Sequence, residues 1–185
     1  MLRGQLYIFE KKNTHKYPII ELLFDDDTGL VLTDFQGAAN AHMNPGKSEA
    51  PDALSDEIDF SYLKEKLAST RTAIKTILLD QHIIRGIGNA YADEILWEAG
   101  ISPFSSANKI PADKIKSLAS AIQKVLMDDE KQIKKLKPDI ISGEVRDFLK
   151  IHNAHKTKSP GGKSIQQKTI GGRKTYYTEE QELYK

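Results

Sequence analysis

Hydrophobic positions run in short blocks over the first forty residues of this chain and recur at helical spacing beyond residue 59. Gln5 to Phe9 reads as a strand. Pro18 to Phe24 reads as a second, the turn Asp25-Asp26-Asp27-Thr28-Gly29 follows, and Leu30 to Thr33 completes a hairpin. Aspartate and glycine supply the backbone conformations such a turn demands. Three strands make half of a sandwich and leave one apolar face and a long edge open. The expectation is a chain that begins in the middle of a domain.

Residues 40–57 are rich in Asn, Pro, Gly, Ser and Asp, as a linker is. Beyond them Phe60, Leu63 and Leu67 are helix-spaced, and so are Ile74, Ile77 and Leu78. Pro111 opens a long helix with Ile115, Leu118, Ile122 and Val125 on one face, ending near Leu136 before Pro138. Gly143 to Ile151 reads as another short helix. These apolar stripes are core positions. Lys156 to Lys168 is polar, with Pro160-Gly161-Gly162 as a turn, and Ile170 to Thr178 reads as a β-hairpin turned at Gly171-Gly172 and tipped by Arg173 and Lys174.

Residues 78 to 103 carry the strongest pattern: a helix, a double turn around Gly86 and Gly88, and a second helix ending at Gly100 before Pro103. Glycine permits tight turns and close approach of another backbone. Asn89 stands where an N-cap belongs, its side-chain oxygen able to accept from a first-turn amide. A helix N-terminus with open glycine amides is an anion site, and a DNA phosphate is one such anion. Asp93 and Glu94 read as first-turn acids favoured by the helix dipole.

Leu-Leu-Asp-Gln at 78–81 followed by Gly-Ile-Gly-Asn-Ala-Tyr-Ala-Asp-Glu-Ile-Leu at 86–96 resembles the helix–two-turn–helix segment of the formamidopyrimidine-DNA glycosylase and endonuclease VIII family of base-excision repair enzymes. Gly-Gly-Arg-x-Thr-x-Tyr at 171–177 resembles the tip of that family's C-terminal zinc finger, where an arginine contacts DNA phosphates. Arg173 is the matching residue. Counted outward from it, the family's four cysteines would fall on Lys158, Gly161, Thr178 and Gln181, none of which can replace a thiolate around zinc. The resemblance therefore implies a zincless finger, with Ile165, Tyr176 and Tyr177 packing where zinc would bind. The alternative for this segment is a disordered basic tail.

Two departures from the family stand out, beside one match. Its members attack the sugar through an N-terminal proline amine followed by glutamate, whereas this chain opens Met1-Leu2-Arg3-Gly4. Its arginine-bearing loop Asp-Pro-Arg-Arg-Phe-Gly, which enters the gap left by the flipped base, is replaced by Asp34-Phe35-Gln36-Gly37-Ala38-Ala39. Its phosphate-binding lysine near the second strand is matched in position by Lys16, which reads equally well as a solvated surface lysine.

The chain has 185 residues and no cysteine, which excludes disulfides and thiolate metal sites. No apolar run is long enough to cross a bilayer and no charged-then-apolar N-terminal leader is visible, so a cytoplasmic protein is expected, nucleoid-associated in a bacterium. Net charge is +1 overall, but residues 1–60 carry 5 Lys/Arg against 11 Asp/Glu and residues 131–174 carry 12 against 3. The second block suits a polyanion partner, or is a solvated lysine-rich surface. The spacing of His15, His42, His82, His152 and His155 forms no metal pair.

The fold expected is α+β: a partial antiparallel β-sandwich at 1–45, a linker at 46–58, a helix–two-turn–helix domain at 59–152 and a zincless β-hairpin finger at 153–185. The resemblance implies the DNA-binding part of a glycosylase and abasic-site lyase, inactive alone, monomeric, and acting on duplex DNA with damaged or abasic sites. DNA contacts are assigned to Asn89, Gly88, Gly86, Arg173, Lys174 and Lys16. No catalytic residue, metal, cofactor or membrane contact is assigned. The alternative is a non-enzymatic RNA-binding protein of ribosomal type with the same helical motif; it leaves the N-terminal hairpin and the Gly-Gly-Arg tip unexplained.

Overall fold

The computed structural model describes residues 4–46 and 49–185, so the opening Met1-Leu2-Arg3 and two residues of the expected linker, 47 and 48, lie outside it. The chain is α+β and divides into two compact units. One takes in the N-terminal strands together with residues 134–145; the other comprises 49–133 and 146–185. No helix among the described residues is long and apolar enough to cross a membrane.

The first unit is an open antiparallel sheet of β1 (Gln5–Glu10), β2 (Pro18–Leu23) and β3 (Thr28–Thr33) in the order β1-β3-β2. Opposed residues share a face. Leu6 opposes Leu32, Ile8 opposes Leu30, and Ile20 and Leu22 oppose Leu32 and Leu30, which puts six aliphatic side chains on one face. Ile8 is 61% exposed and Leu22 47%, so this face is largely uncovered. On the other face Phe9 lies over Gly29, where an added Cβ would come within 2.2 Å of the ring.

In the second unit, Asp59 caps α1 (Phe60–Ala68) by accepting from the Tyr62 amide, a contact worth about 1 kcal/mol. Then come α2 (Ile74–Leu78), α3 (Asn89–Glu98) and α4 (Ala112–Leu136), whose last residues belong to the first unit. The expected stripes meet in one core: Leu63 and Leu67 of α1, Ile74 and Leu78 of α2, Ile95 and Leu96 of α3, Leu118 and Ile122 of α4. The hairpin β4 (Gln166–Ile170) and β5 (Arg173–Tyr177) packs β5 against α3. Gly171 and Gly172 at φ +53° and +74° form its two-residue turn, a conformation that suits glycine at both positions.

The expected helix at 143–151 is absent, and the segment runs through turns and bends. Its buried end has a different set of hydrogen-bond partners. The Lys150, Ile151 and His152 amides donate to the Glu94 carboxylate at 2.7–2.9 Å, which satisfies them without helical bonds.

Candidate nucleic-acid interface

The two turns between α2 and α3 are braced by one side chain. Gln81 accepts from the Gly86 amide at 2.9 Å and donates to the Ile87 carbonyl at 3.1 Å. Gly86 sits at φ +94°, a conformation that an L side chain rarely adopts. Gly88 differs: its φ of −97° is open to any residue, and no heavy atom lies within 4 Å of where its Cβ would be. What glycine leaves at 88 is open space in front of a helix end.

Gly88, not Asn89, is the N-cap of α3, and no side chain caps this helix. Asn89 is the first helical residue, and its amide nitrogen Nδ2 donates instead across to the Lys174 carbonyl of β5, at 2.9 Å. Its Oδ1 is buried with no hydrogen-bond partner among the described residues. Asn89 is thus a strut from helix end to hairpin, with a second Nδ2 proton to spare.

Beneath that strut lies a buried ion network. Lys75 of α2 is fully buried, and its ammonium reaches Asp93 Oδ1 at 2.7 Å, Thr175 Oγ1 at 2.8 Å and the Lys174 carbonyl at 3.3 Å. Asp93 Oδ2 faces His152 Nδ1 at 2.7 Å and accepts from the Tyr176 amide at 2.9 Å. Burial pulls Lys75 below its ordinary pKa, against the pull of Asp93. Asp93 and Glu94 are therefore not solvated first-turn acids; both are buried in the second turn, where they bind β5 and the 150–152 segment to α3. The Tyr176 ring closes the group at 4.6 Å from His152.

The finger root is held by hydrogen bonds. Thr178 and Gln181, at two of the positions where the resemblance places cysteines, are buried. The Thr178 amide donates to Gln181 Oε1 at 2.9 Å, and Gln181 Nε2 donates to the Ile101 carbonyl at 2.9 Å. Thr178 Oγ1 and the Trp97 indole both donate to the Glu180 carboxylate, which lies over Gly161 where a Cβ would be 1.9 Å from Oε1. Lys158 is exposed. Tyr176 is buried, Tyr177 meets Phe104 edge-on at 4.9 Å, and Ile165 is half-buried. Among the described residues no group of three or more His, Asp or Glu is placed to hold a metal.

Of the six residues singled out in the sequence, five share this unit. Gly86, Gly88 and Asn89 line the uncapped helix end, Lys174 is bonded to Asn89 through its carbonyl, and Arg173 stands exposed beside the hairpin turn. Lys16 belongs to the sheet unit, exposed at the end of the β1–β2 connection. The sequence reading missed Gln81, Lys75, Asp93 and His152. The trace of Lys75 was a lone charge inside the apolar run Ala73-Ile74-Lys75-Thr76-Ile77-Leu78-Leu79.

Residues 50–137 match the family model described as the formamidopyrimidine-DNA glycosylase H2TH domain. The formamidopyrimidine-DNA glycosylase of Syntrophomonas wolfei is 31% identical over 196 aligned residues, 96% of this chain and 71% of the relative. Those of Carboxydothermus hydrogenoformans and Arabidopsis thaliana are 39% and 32% identical, over 68% and 91% of this chain but only 47% and 45% of their own lengths. The chain spans about half the length of these two relatives. Among solved structures, MutM in complex with carbocyclic 8-oxo-G containing DNA superposes with TM-score 0.80 at 24% identity, covering 98% of this chain and 72% of that one. The complex between the Lactococcus lactis Fpg and an abasic site containing DNA gives 0.78 at 23%, covering 96% and 70%. At such identities these two speak for the fold alone. With the H2TH match spanning the helices of the site, and a 31% identical relative aligned over 71% of its length, this chain belongs to the formamidopyrimidine-DNA glycosylase family.

Proposed function

We propose that this chain is the DNA-holding part of a base-excision repair glycosylase and abasic-site lyase, with duplex DNA carrying damaged or abasic sites as its partner. The observation that carries the reading is the strut from Asn89 to Lys174. It sets an uncapped helix end and an exposed arginine hairpin side by side, so amides and guanidinium can grip phosphates of one duplex. Asn89 offers its second Nδ2 proton, Gly88 leaves room for the strand, and Arg173 and Lys174 add positive charge from the hairpin. Lys16 takes a further phosphate from the sheet unit. The relatives carry glycosylase names, and the superposed structures hold abasic or oxidised DNA, which supports the substrate class.

We expect the chain as given to bind without strand cleavage, as a monomer in the cytoplasm or on the nucleoid. Incubation with a duplex holding 8-oxoguanine or an abasic site, followed by borohydride, tests both parts. Retarded duplex with no covalent adduct is expected. A trapped protein–DNA adduct would overturn the inactivity, and absence of binding at low salt would overturn the function.

A further inference from the structure

The sheet unit carries a cleft outside the helix–hairpin interface. It opens over the β1–β3 face that carries Gln5, Tyr7 and Thr33, and holds about 380 Å³ between the segments at 15–17 and 34–35. That is near the small end of ligand pockets, about 300–1,000 Å³. Its walls are unusually aromatic for so small a sheet. Tyr7 and His15 stack with centroids 4.1 Å apart and planes 12° apart. Tyr17 meets Phe35 edge-on at 5.2 Å. Phe35 is 76% exposed and Tyr17 54%, so the outer two rings stand open to solvent.

These rings are held in place. Tyr17 sits at φ +60°, a left-handed conformation that costs a bulky residue about 1–2 kcal/mol. Its carbonyl accepts from the Asp34 amide at 3.0 Å, which fixes it against the loop bearing Phe35. The Asp34 carboxylate accepts from the Gln36, Ala38 and Ala39 amides at 2.7–2.9 Å, which stiffens that loop and occupies the acid at the cleft. Lys16 stands between His15 and Tyr17, exposed, with no ion-pair partner among the described residues.

We propose that this cleft binds one unstacked nucleobase of a single-stranded stretch, stacked on Phe35 and Tyr17, with Lys16 on the adjoining phosphate. Aromatic faces beside a cation are what single-strand binding sites use, because every base has a π-face and each nucleotide one phosphate. The cleft is sized for one nucleotide. Lys16 is the one lysine lining the cleft among the described residues, so attraction comes mainly from stacking and the salt dependence is shallow. The phosphate on Lys16 rests on the function proposed above; the base on Phe35 and Tyr17 does not.

The test compares two fluorescein-labelled eight-residue strands by anisotropy, oligo-dT and a homopolymer of abasic tetrahydrofuran residues with the same phosphates and no bases. The full chain binds oligo-dT at least tenfold more tightly. Phe35→Ala and Tyr17→Gly each reduce that preference by about tenfold, which is about 1.4 kcal/mol; glycine at 17 keeps the left-handed backbone. Lys16→Ala weakens both strands alike. Phe35→Ala leaves the affinity for intact duplex unchanged, because a stacked base cannot enter. Arg173→Ala does the converse, lowering duplex affinity while the oligo-dT preference stands, so failure of this inference and failure of the duplex reading are told apart. Equal binding of the two strands, no binding of either, or an unchanged preference in folded Phe35→Ala protein overturns the proposal.

Discussion

Lys75→Met asks whether the buried network is what holds the hairpin against the helices. Methionine keeps the aliphatic stem and removes the ammonium, with its contacts to Asp93 at 2.7 Å, Thr175 at 2.8 Å and the Lys174 carbonyl at 3.3 Å. Removing one partner of a buried ion pair costs about 3–5 kcal/mol. Two features reduce that figure here. Asp93 keeps His152 at 2.7 Å and the Tyr176 amide at 2.9 Å. Burial also works against the Lys75 charge, so the variant is relieved of desolvating it. The expected loss is about 2–3 kcal/mol, or roughly 5–10 °C in melting temperature for a chain of this size. Trp97, the one tryptophan, lies on α3 and donates to Glu180, so its fluorescence in a urea titration reports on the affected unit. Asp93→Asn and the double variant complete a cycle, with an expected coupling of about 1 kcal/mol or more. Duplex affinity should fall with Lys75→Met even at temperatures where the protein is fully folded, because Asn89 and Arg173 lose their common support. A single variant within about 0.5 kcal/mol of the parent, or a cycle without coupling, would refute the argument.

Arg173→Ala should leave the melting temperature unchanged, since the side chain is exposed, and weaken duplex binding by about 1.5–3 kcal/mol with the salt slope reduced by about one phosphate's share; a calorimetric melt and a salt titration check both. Asn89→Asp removes the donor to Lys174 and sets a carboxylate against that carbonyl and any phosphate, so DNA affinity should drop at least tenfold at low salt; affinity equal to the parent's would remove Asn89 from the interface. Asp129 is half-buried near Glu94 and Asp128, and burial first, then these carboxylates, lift its pKa from 3.8 to about 6. Its folded form holds the proton more tightly, so this group's contribution is fully present below pH 3.8 and is lost as pH rises to 6. Asp129→Asn should therefore raise stability at pH 7.5 by up to about 1 kcal/mol after solvent screening, and by much less at pH 4, in urea titrations at the two values.

Period and punctuation were enough for most elements. The aspartate-rich turn before β3, with Asp27 rather than Gly29 in the left-handed conformation, the apolar stripe on α4 bounded by Pro111 and Pro138, and Gly171-Gly172 between two polar strands are local patterns, and local backbone energetics obey them. The segment at 143–151 shows where locality fails. Its spacing suits a helix, yet the Glu94 carboxylate, more than fifty residues away in the chain, takes the amides that a helix would pair internally. Asn89 shows the same competition: a residue made for capping bonds instead to Lys174, because the hairpin brings a carbonyl within 2.9 Å.

By itself, then, the sequence determined most of the element types, the glycine turns at Gly86 and Gly171-Gly172 and the resemblance of residues 78–103 and 171–177 to a DNA repair family, since each depends on neighbours along the chain. Only the tertiary structure decided what Lys75, Asp93 and His152 do. Charged side chains are costly to bury alone. Whether they are surface charges or a shared network depends on partners 18 and 59 residues apart meeting in one buried site.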